Sequence, residues 1–220
     1  VRKLEQWVRS LSPTAEFIIV VGVAFVFPIM SSLWVSLGGE YEPGPVQFTE
    51  DDLHLIVLEE AMLLLLLGWF LRVRGWSVGH FAAYPSLREL AMAVGLTGLS
   101  AIVWVLPPLM FASTDTGVTS GGAGLSWPGA LAVSIINPLF EELFLCAYML
   151  PFLTKRGGPA LAVAGSLLVR LSFHTYQGPV GLLSIGLLGL VFTTFYLRTQ
   201  RLWPVLIAHG VLDFVALANA

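Results

Sequence analysis

The sequence predicts an all-α protein that crosses a membrane about seven times. Three observations lead there. The 220 residues are 56% hydrophobic and only 11% charged, and the mean hydropathy is +0.83, far from the balance of a soluble globular domain. Apolar windows of roughly 17 to 25 residues recur along nearly the whole chain, the length a helix needs to cross about 30 Å of hydrocarbon at about 1.5 Å per residue. The charged residues fall mostly between those windows. We expect one integral membrane domain over residues 1–220 with no separate soluble domain. A net charge of −3 points away from a nucleic-acid partner, and the single cysteine, Cys146, excludes an intrachain disulfide.

The N-terminal stretch VRKLEQWVRSLSPTAEF is basic, and the apolar run after it, about Phe17 to Leu37, is longer than a signal-peptide core of about 7 to 15 residues. It reads as a first membrane helix. Hydropathy places helices near 15–37, 53–71, 89–112, 128–153, 159–176, 179–197 and 202–219. Seven crossings put the termini on opposite sides. Ten of the eleven basic residues then share one side: Arg2, Lys3, Arg9, Arg72, Arg74, Arg88, Lys155, Arg156, Arg198 and Arg201. By the positive-inside rule that side, with the N-terminus, is cytoplasmic. The opposite connections GGEYEPGPVQFTEDD and STDTGVTSGGAGLSW carry no lysine or arginine. GWSVGHFAAYPSLRE, residues 75–89, reads either as a short interfacial amphipathic element that includes His80 or as an ordinary loop. Tight turns at KRGGP and YQGP join the fourth, fifth and sixth helices in series. The tryptophans lie mostly near span ends, as an aromatic belt requires.

Ionisable side chains at membrane depth cost on the order of 2.5–3.5 kcal/mol each, so they face partners or a wet cavity. Six cluster in the last four helices: Glu141 and Glu142, Arg170 and His174, His209 and Asp213. Residues four apart share a helix face, whereas neighbours diverge by about 100°. Arg170 with His174, and His209 with Asp213, therefore converge, while Glu141 and Glu142 are expected to point differently. A carboxylate and two imidazoles around one cavity suit activation of a water, and the set Glu141, His174, His209 and Asp213 also suits Zn²⁺, although glutamate and histidines suffice without a metal. The bland alternative is that these groups only pair with one another to hold helices together. For Glu59 and Glu60 that alternative, structural pairing, is the better reading. Cys146 shares a face with Glu142, wrong company for a thiolate nucleophile, and reads as a small packing residue.

The motifs EELFLC (141–146), RLSFH (170–174) and HGVLD (209–213), with NPLFEELF, HTYQGP and RLWPVLIAHGVLD around them, resemble the CPBP intramembrane proteases, which include the type II CAAX prenyl endopeptidases and the bacterial Abi or bacteriocin-immunity proteins. That family's pattern is Glu-Glu-x-x-x-Arg, Phe-x-x-x-His and His-x-x-x-Asn/Asp on successive late helices. The resemblance covers about residues 128–215 and implies a bacterial inner-membrane endopeptidase that cuts a membrane-anchored or membrane-inserted protein. It implies Glu141 as general base, Glu142 as its support, His174 positioning the water or a metal, and His209 and Asp213 steadying the tetrahedral intermediate or completing the site. Ionised Asp213, unlike an asparagine, cannot donate to an oxyanion, so orienting His209 or binding metal suits it better. Two positions depart from the pattern. Cys146 stands where the arginine is expected, and Arg170 where the phenylalanine is expected. We expect Arg170 to supply the missing charge to Glu142 from the next helix, with Glu59 and Glu60 as competitors at about the same depth, roughly 9 Å from the outer boundary by helical rise. Two alternatives accompany the protease reading. The lost arginine suggests an inactive relative acting as an immunity or scaffold protein. A small proton-coupled transporter would carry similar midplane groups, but calls for an internal symmetry that the sequence lacks.

Overall fold

A computed structural model describes residues 2–37, 46–77, 79, 85–111, 118–120 and 125–218. A short helix, α1 (Arg2–Ser10), precedes the first span; it turns Val8 inward and leaves Leu4 and Trp7 exposed among its charges. This interfacial helix was not legible as one in the sequence. Its terminal carbonyls are satisfied by Arg74, whose Nη1 donates to Val8 O at 3.2 Å and Arg9 O at 2.9 Å, the usual role of a cation at a helix C-terminus.

Three outer helices follow: α2 (Pro13–Leu37), α3 (Glu50–Val73) and α4 (Leu87–Phe111). Each begins on a side-chain cap. Ser12 Oγ accepts from Ala15 N, Thr49 and Asp52 form a reciprocal capping box, and Ser86 and Glu89 form another. Their sequences are apolar all round, as lipid exposure demands. The bundle centre comes later. α5 (Trp127–Glu142) starts on Ser126, whose Oγ accepts from Gly129 N, and runs into a π-helical segment, Leu143–Met149, then α6 (Leu150–Phe173). Of the most apolar stretch of this 47-residue unit 61% is buried, against 17–22% for α2, α3 and α4. The last helices are α7 (Gly178–Thr199) and α8 (Trp203–Ala218). Two three-residue strands, β1 (Val46–Phe48) and β2 (Val118–Ser120), pair in parallel between the outer connections.

The all-α polytopic prediction holds. Five helical stretches among the described residues are long and apolar enough to cross a membrane, one of them, Trp127–Phe173, holding both the fourth and the fifth predicted spans, and α8 is a shorter apolar helix. The fourth and fifth predicted spans are two helices that fold back on each other at the predicted KRGGP turn: Gly157 and Gly158 leave helical geometry, and Gly158 takes φ 80°, a left-handed conformation that glycine adopts without a Cβ clash. The fifth helix stops at Phe173 rather than 176: His174 is its C-cap and a single 3₁₀ turn, Thr175–Gln177, leads into Gly178. Within the connection 75–89, residues 78 and 80–84, His80 among them, lie outside the described residues.

Four clusters among the described residues hold the frame, one of them joining α3, α5 and α8 through Leu53, Ala130, Val133 and Leu217. A second joins α2, α3, the end of α5 and the π segment through Val20, Phe25, Leu67, Phe70, Phe140, Phe144 and Tyr148. A third packs Cys146 and Leu150 on Tyr196 and Leu206, and a fourth sets Leu96 of α4 against Phe192, Val205 and Ala208. At one end, buried Glu16 accepts from Arg74 Nε (2.6 Å), Trp76 Nε1 (3.0 Å) and Tyr148 Oη (3.2 Å), tying α2 and the π segment to the end of α3. Trp76 therefore has a structural polar task besides its place near a span end.

Candidate active site

The side chains singled out in the sequence come from α5, α6, the turn after it and α8. Glu141 and Glu142 close α5 where the backbone widens into the π segment, a departure from α geometry often met at functional sites. Arg170 lies in the last turn of α6 and His174 caps it. His209 and Asp213 are one turn apart on α8. Two glycines make this convergence possible. A Cβ at Gly210 would meet the Ser134 carbonyl oxygen, so α8 and α5 approach at backbone distance, and a Cβ at Gly189 of α7 would lie 2.9 Å from Arg170 Cδ.

Arg170 is the hub. It is 1% exposed, and Glu142 and Glu141 beside it are 0% and 4% exposed. Its Nη2 donates to Glu142 Oε1 at 2.7 Å and Oε2 at 2.8 Å, and its Nη1 donates to Glu141 Oε2 at 3.1 Å. Such charge-assisted bonds are among the strongest available to side chains. Arg170 thus meets Glu142 across the helix interface, and neither Glu59 nor Glu60 is its partner. The expected divergence of the two glutamates needs correction. Their Cα–Cβ directions do differ, but a guanidinium presents donors along two edges, and one planar group bridges both carboxylates.

The remaining contacts separate the two glutamates. Glu142 is saturated: besides Arg170, its Oε1 lies 2.8 Å from His209 Nδ1 and its Oε2 accepts from Cys146 Sγ at 3.2 Å. Because a carboxylate only accepts, His209 Nδ1 carries the hydrogen, which leaves Nε2 facing Asp213 Oδ1 at 3.5 Å. Glu141 has Oε2 on Arg170, while its Oε1 accepts from Asn137 Nδ2 at 3.1 Å and lies 3.8 Å from His174 Nε2. His174 is steadied by the ring of Phe173 and, on Nδ1, by Gln177 Nε2 at 3.4 Å. Asp213 Oδ2 is buried without a partner.

For metal binding, the grouping differs from the expected one. Among the described residues, ligand atoms of Glu141, Glu142 and His209 lie within 4.8 Å of one another; His174 approaches Glu141 and Asp213 approaches His209, but neither joins that set. Sequence reasoning also missed Asn137. It sits one turn before Glu141, the same i,i+4 spacing that was applied to the histidines, and it bridges Glu141 to Glu60 of α3, whose Oε1 accepts from the same Nδ2 at 2.9 Å.

Fold and site together define a class: a polytopic helical membrane protein with a carboxylate pair, a guanidinium and one imidazole buried between its late helices and a second, half-buried imidazole beside them. Residues 123–215, from the approach to α5 almost to the end of α8, match the Rce1-like family, described as type II CAAX prenyl endopeptidase Rce1-like. That family is one of membrane proteases, and the matched stretch contains all seven side chains named from the sequence. No curated protein and no solved structure matches the chain.

Proposed function

We propose that the protein is an intramembrane endopeptidase that hydrolyses a peptide bond of a membrane-anchored protein, with a prenylated or otherwise tail-anchored C-terminal segment as the substrate class. The observation that carries this reading is the asymmetry of the glutamates. Glu142 has both oxygens consumed by Arg170, His209 and Cys146, whereas Glu141 turns Oε1 toward His174. A water about 2.8 Å from each of those two atoms bridges their 3.8 Å separation comfortably. Glu141 Oε1 takes its proton as the oxygen attacks the scissile carbonyl, and His174 holds the water in line. The tetrahedral intermediate places negative charge on the former carbonyl oxygen. His209, anchored through Nδ1 by Glu142, offers Nε2–H to that oxyanion in its imidazolium form, and Asp213 orients the ring. As the C–N bond breaks, the proton held on Glu141 passes to the leaving amine, and Glu141 is again a carboxylate.

Arg170 supports the active reading over that of an inactive relative, because it brings Glu142 the positive charge that Cys146 does not supply. It also argues against Zn²⁺. A guanidinium already occupies the space between the two carboxylates, and a divalent cation among Glu141, Glu142 and His209 would sit against that fixed charge. The donor set does not fit the metal, and we assign water activation to the side chains alone. The positive-inside distribution supports a cytoplasmic N-terminus, with the C-terminus across the membrane.

The reading is tested by incubating the purified protein in micelles with a panel of membrane-anchored peptides, an S-farnesylated CAAX peptide among them, in ¹⁸O-labelled water. Hydrolysis puts one labelled oxygen in the new carboxylate. A panel left intact contradicts the proposal.

A further inference from the structure

The pair Glu59–Glu60 on α3 reads from sequence as helix glue, and Glu60 does pair across a helix interface, but only with one of its two oxygens. A carboxylate retained only for pairing has its oxygens satisfied. Glu60 instead places Oε1 on Asn137 Nδ2 and leaves Oε2 buried with no hydrogen-bond partner. Asn137 has two amide hydrogens, and they go to two carboxylates: Glu60 Oε1 at 2.9 Å and Glu141 Oε1 at 3.1 Å. Neither carboxylate can donate while ionised, so the amide nitrogen, and not the amide oxygen, faces both. Glu60 therefore fixes which way the Asn137 amide is turned, and the amide fixes Glu141 Oε1, the oxygen that faces His174. Through that shared amide, α3 borders the same polar interior as the late helices.

We propose that Glu60, acting through Asn137, is a positioning residue for Glu141, contributed to the active site by a helix outside the stretch 123–215 that matches the protease family. The inference rests on the reading of Glu141 as the base. Without Glu60 the Asn137 side chain is free to turn about its last torsion and release Glu141 Oε1; without Asn137 the tether is gone. The control is next door. Glu59 makes no hydrogen bond to Asn137, so its replacement leaves the tether intact.

The experiment measures kcat and KM on whichever panel peptide the wild-type protein cuts, with thermal stability in micelles recorded for each variant. Asn137→Ala is expected to lower kcat about 10- to 100-fold and Glu60→Leu about 10-fold, the scale of a misplaced reacting group, with KM within about twofold of wild type. Glu60→Asp, which keeps the charge but withdraws the oxygen by one methylene, falls with Glu60→Leu, whereas Glu60→Gln, which keeps an acceptor in place, stays within about threefold, and Glu59→Gln is unchanged. The double variant Glu60→Leu/Asn137→Ala is no slower than Asn137→Ala alone, because both act through one hydrogen-bond chain. Multiplying effects, or losses that track melting temperature, overturn the inference. Wild-type kcat in Glu60→Leu and Asn137→Ala beside an inactive Glu141→Gln overturns it while leaving Glu141 as the base. Full activity in Glu141→Gln, or a wild-type protein that cuts nothing, removes that base and the inference with it.

Discussion

Replacing Arg170 by leucine isolates the interaction on which the site is built. The guanidinium is 1% exposed and makes three N–H···O contacts of 2.7, 2.8 and 3.1 Å to two carboxylates. Hydrogen bonds to charged groups contribute about 1.5–3 kcal/mol each, so the bare set is worth roughly 4.5–9 kcal/mol. Relaxation reduces that figure, because Asn137 and His209 still donate to the carboxylates, and removal of one partner from a buried ion cluster costs about 3–5 kcal/mol. The cost arises from the carboxylates left behind, and it should therefore be reversible by neutralising the right one. Glu142 receives two of the three contacts, so Arg170→Leu/Glu142→Gln should recover about half of the loss, around 2 kcal/mol. Both numbers are read from denaturant titration of the purified protein in micelles, with membrane accumulation of a fluorescent fusion as a second measure. The reasoning fails if Arg170→Leu lies within about 0.5 kcal/mol of wild type, the range of an ordinary surface substitution. It fails equally if Glu60→Gln rescues the variant and Glu142→Gln does not.

Two further predictions follow from close packing and from the thiol. Gly210→Ala drives a Cβ into the Ser134 carbonyl oxygen, which has no rotamer to escape into, so α8 must move away from α5; we expect about 1–3 kcal/mol of destabilisation and a fall in kcat as His209 leaves Glu142, checked by melting temperature and peptide cleavage. Cys146→Ala removes a buried thiol whose one hydrogen bond is donated to Glu142, so cleavage should persist within about threefold; abolished activity at unchanged stability would revive a cysteine nucleophile.

The bundle was legible because lipid imposes a strong pattern: spans predicted at 15–37, 53–71 and 89–112 become helices at Pro13–Leu37, Glu50–Val73 and Leu87–Phe111. The helix α1 escaped because nine residues, four of them charged, carry no span-length signal. The π segment escaped because apolar text such as LFLCAYM is equally compatible with an α-helix. At the site, i,i+4 spacing correctly paired His209 with Asp213 and aligned Cys146 with Glu142. The same geometry misjudged the adjacent glutamates, since facing rules describe where Cα–Cβ bonds point and not how wide a partner is. The arrival of Arg170 at Glu142 is legible in the sequence as a buried charge in need of a partner. The bridge from Asn137 to Glu60 joins positions 77 residues apart in the chain, and no local spacing encodes such a contact.

The division of labour between the two glutamates is tested most directly by single-turnover cleavage with Glu141→Gln, which keeps the side-chain shape and the acceptor for Arg170 but cannot take a proton. The account predicts a loss of about 10²- to 10⁴-fold in the chemical step, the usual contribution of a general base, in a protein that still folds and binds its substrate. A Glu141→Gln protein that turns over within a few-fold of wild type would contradict it.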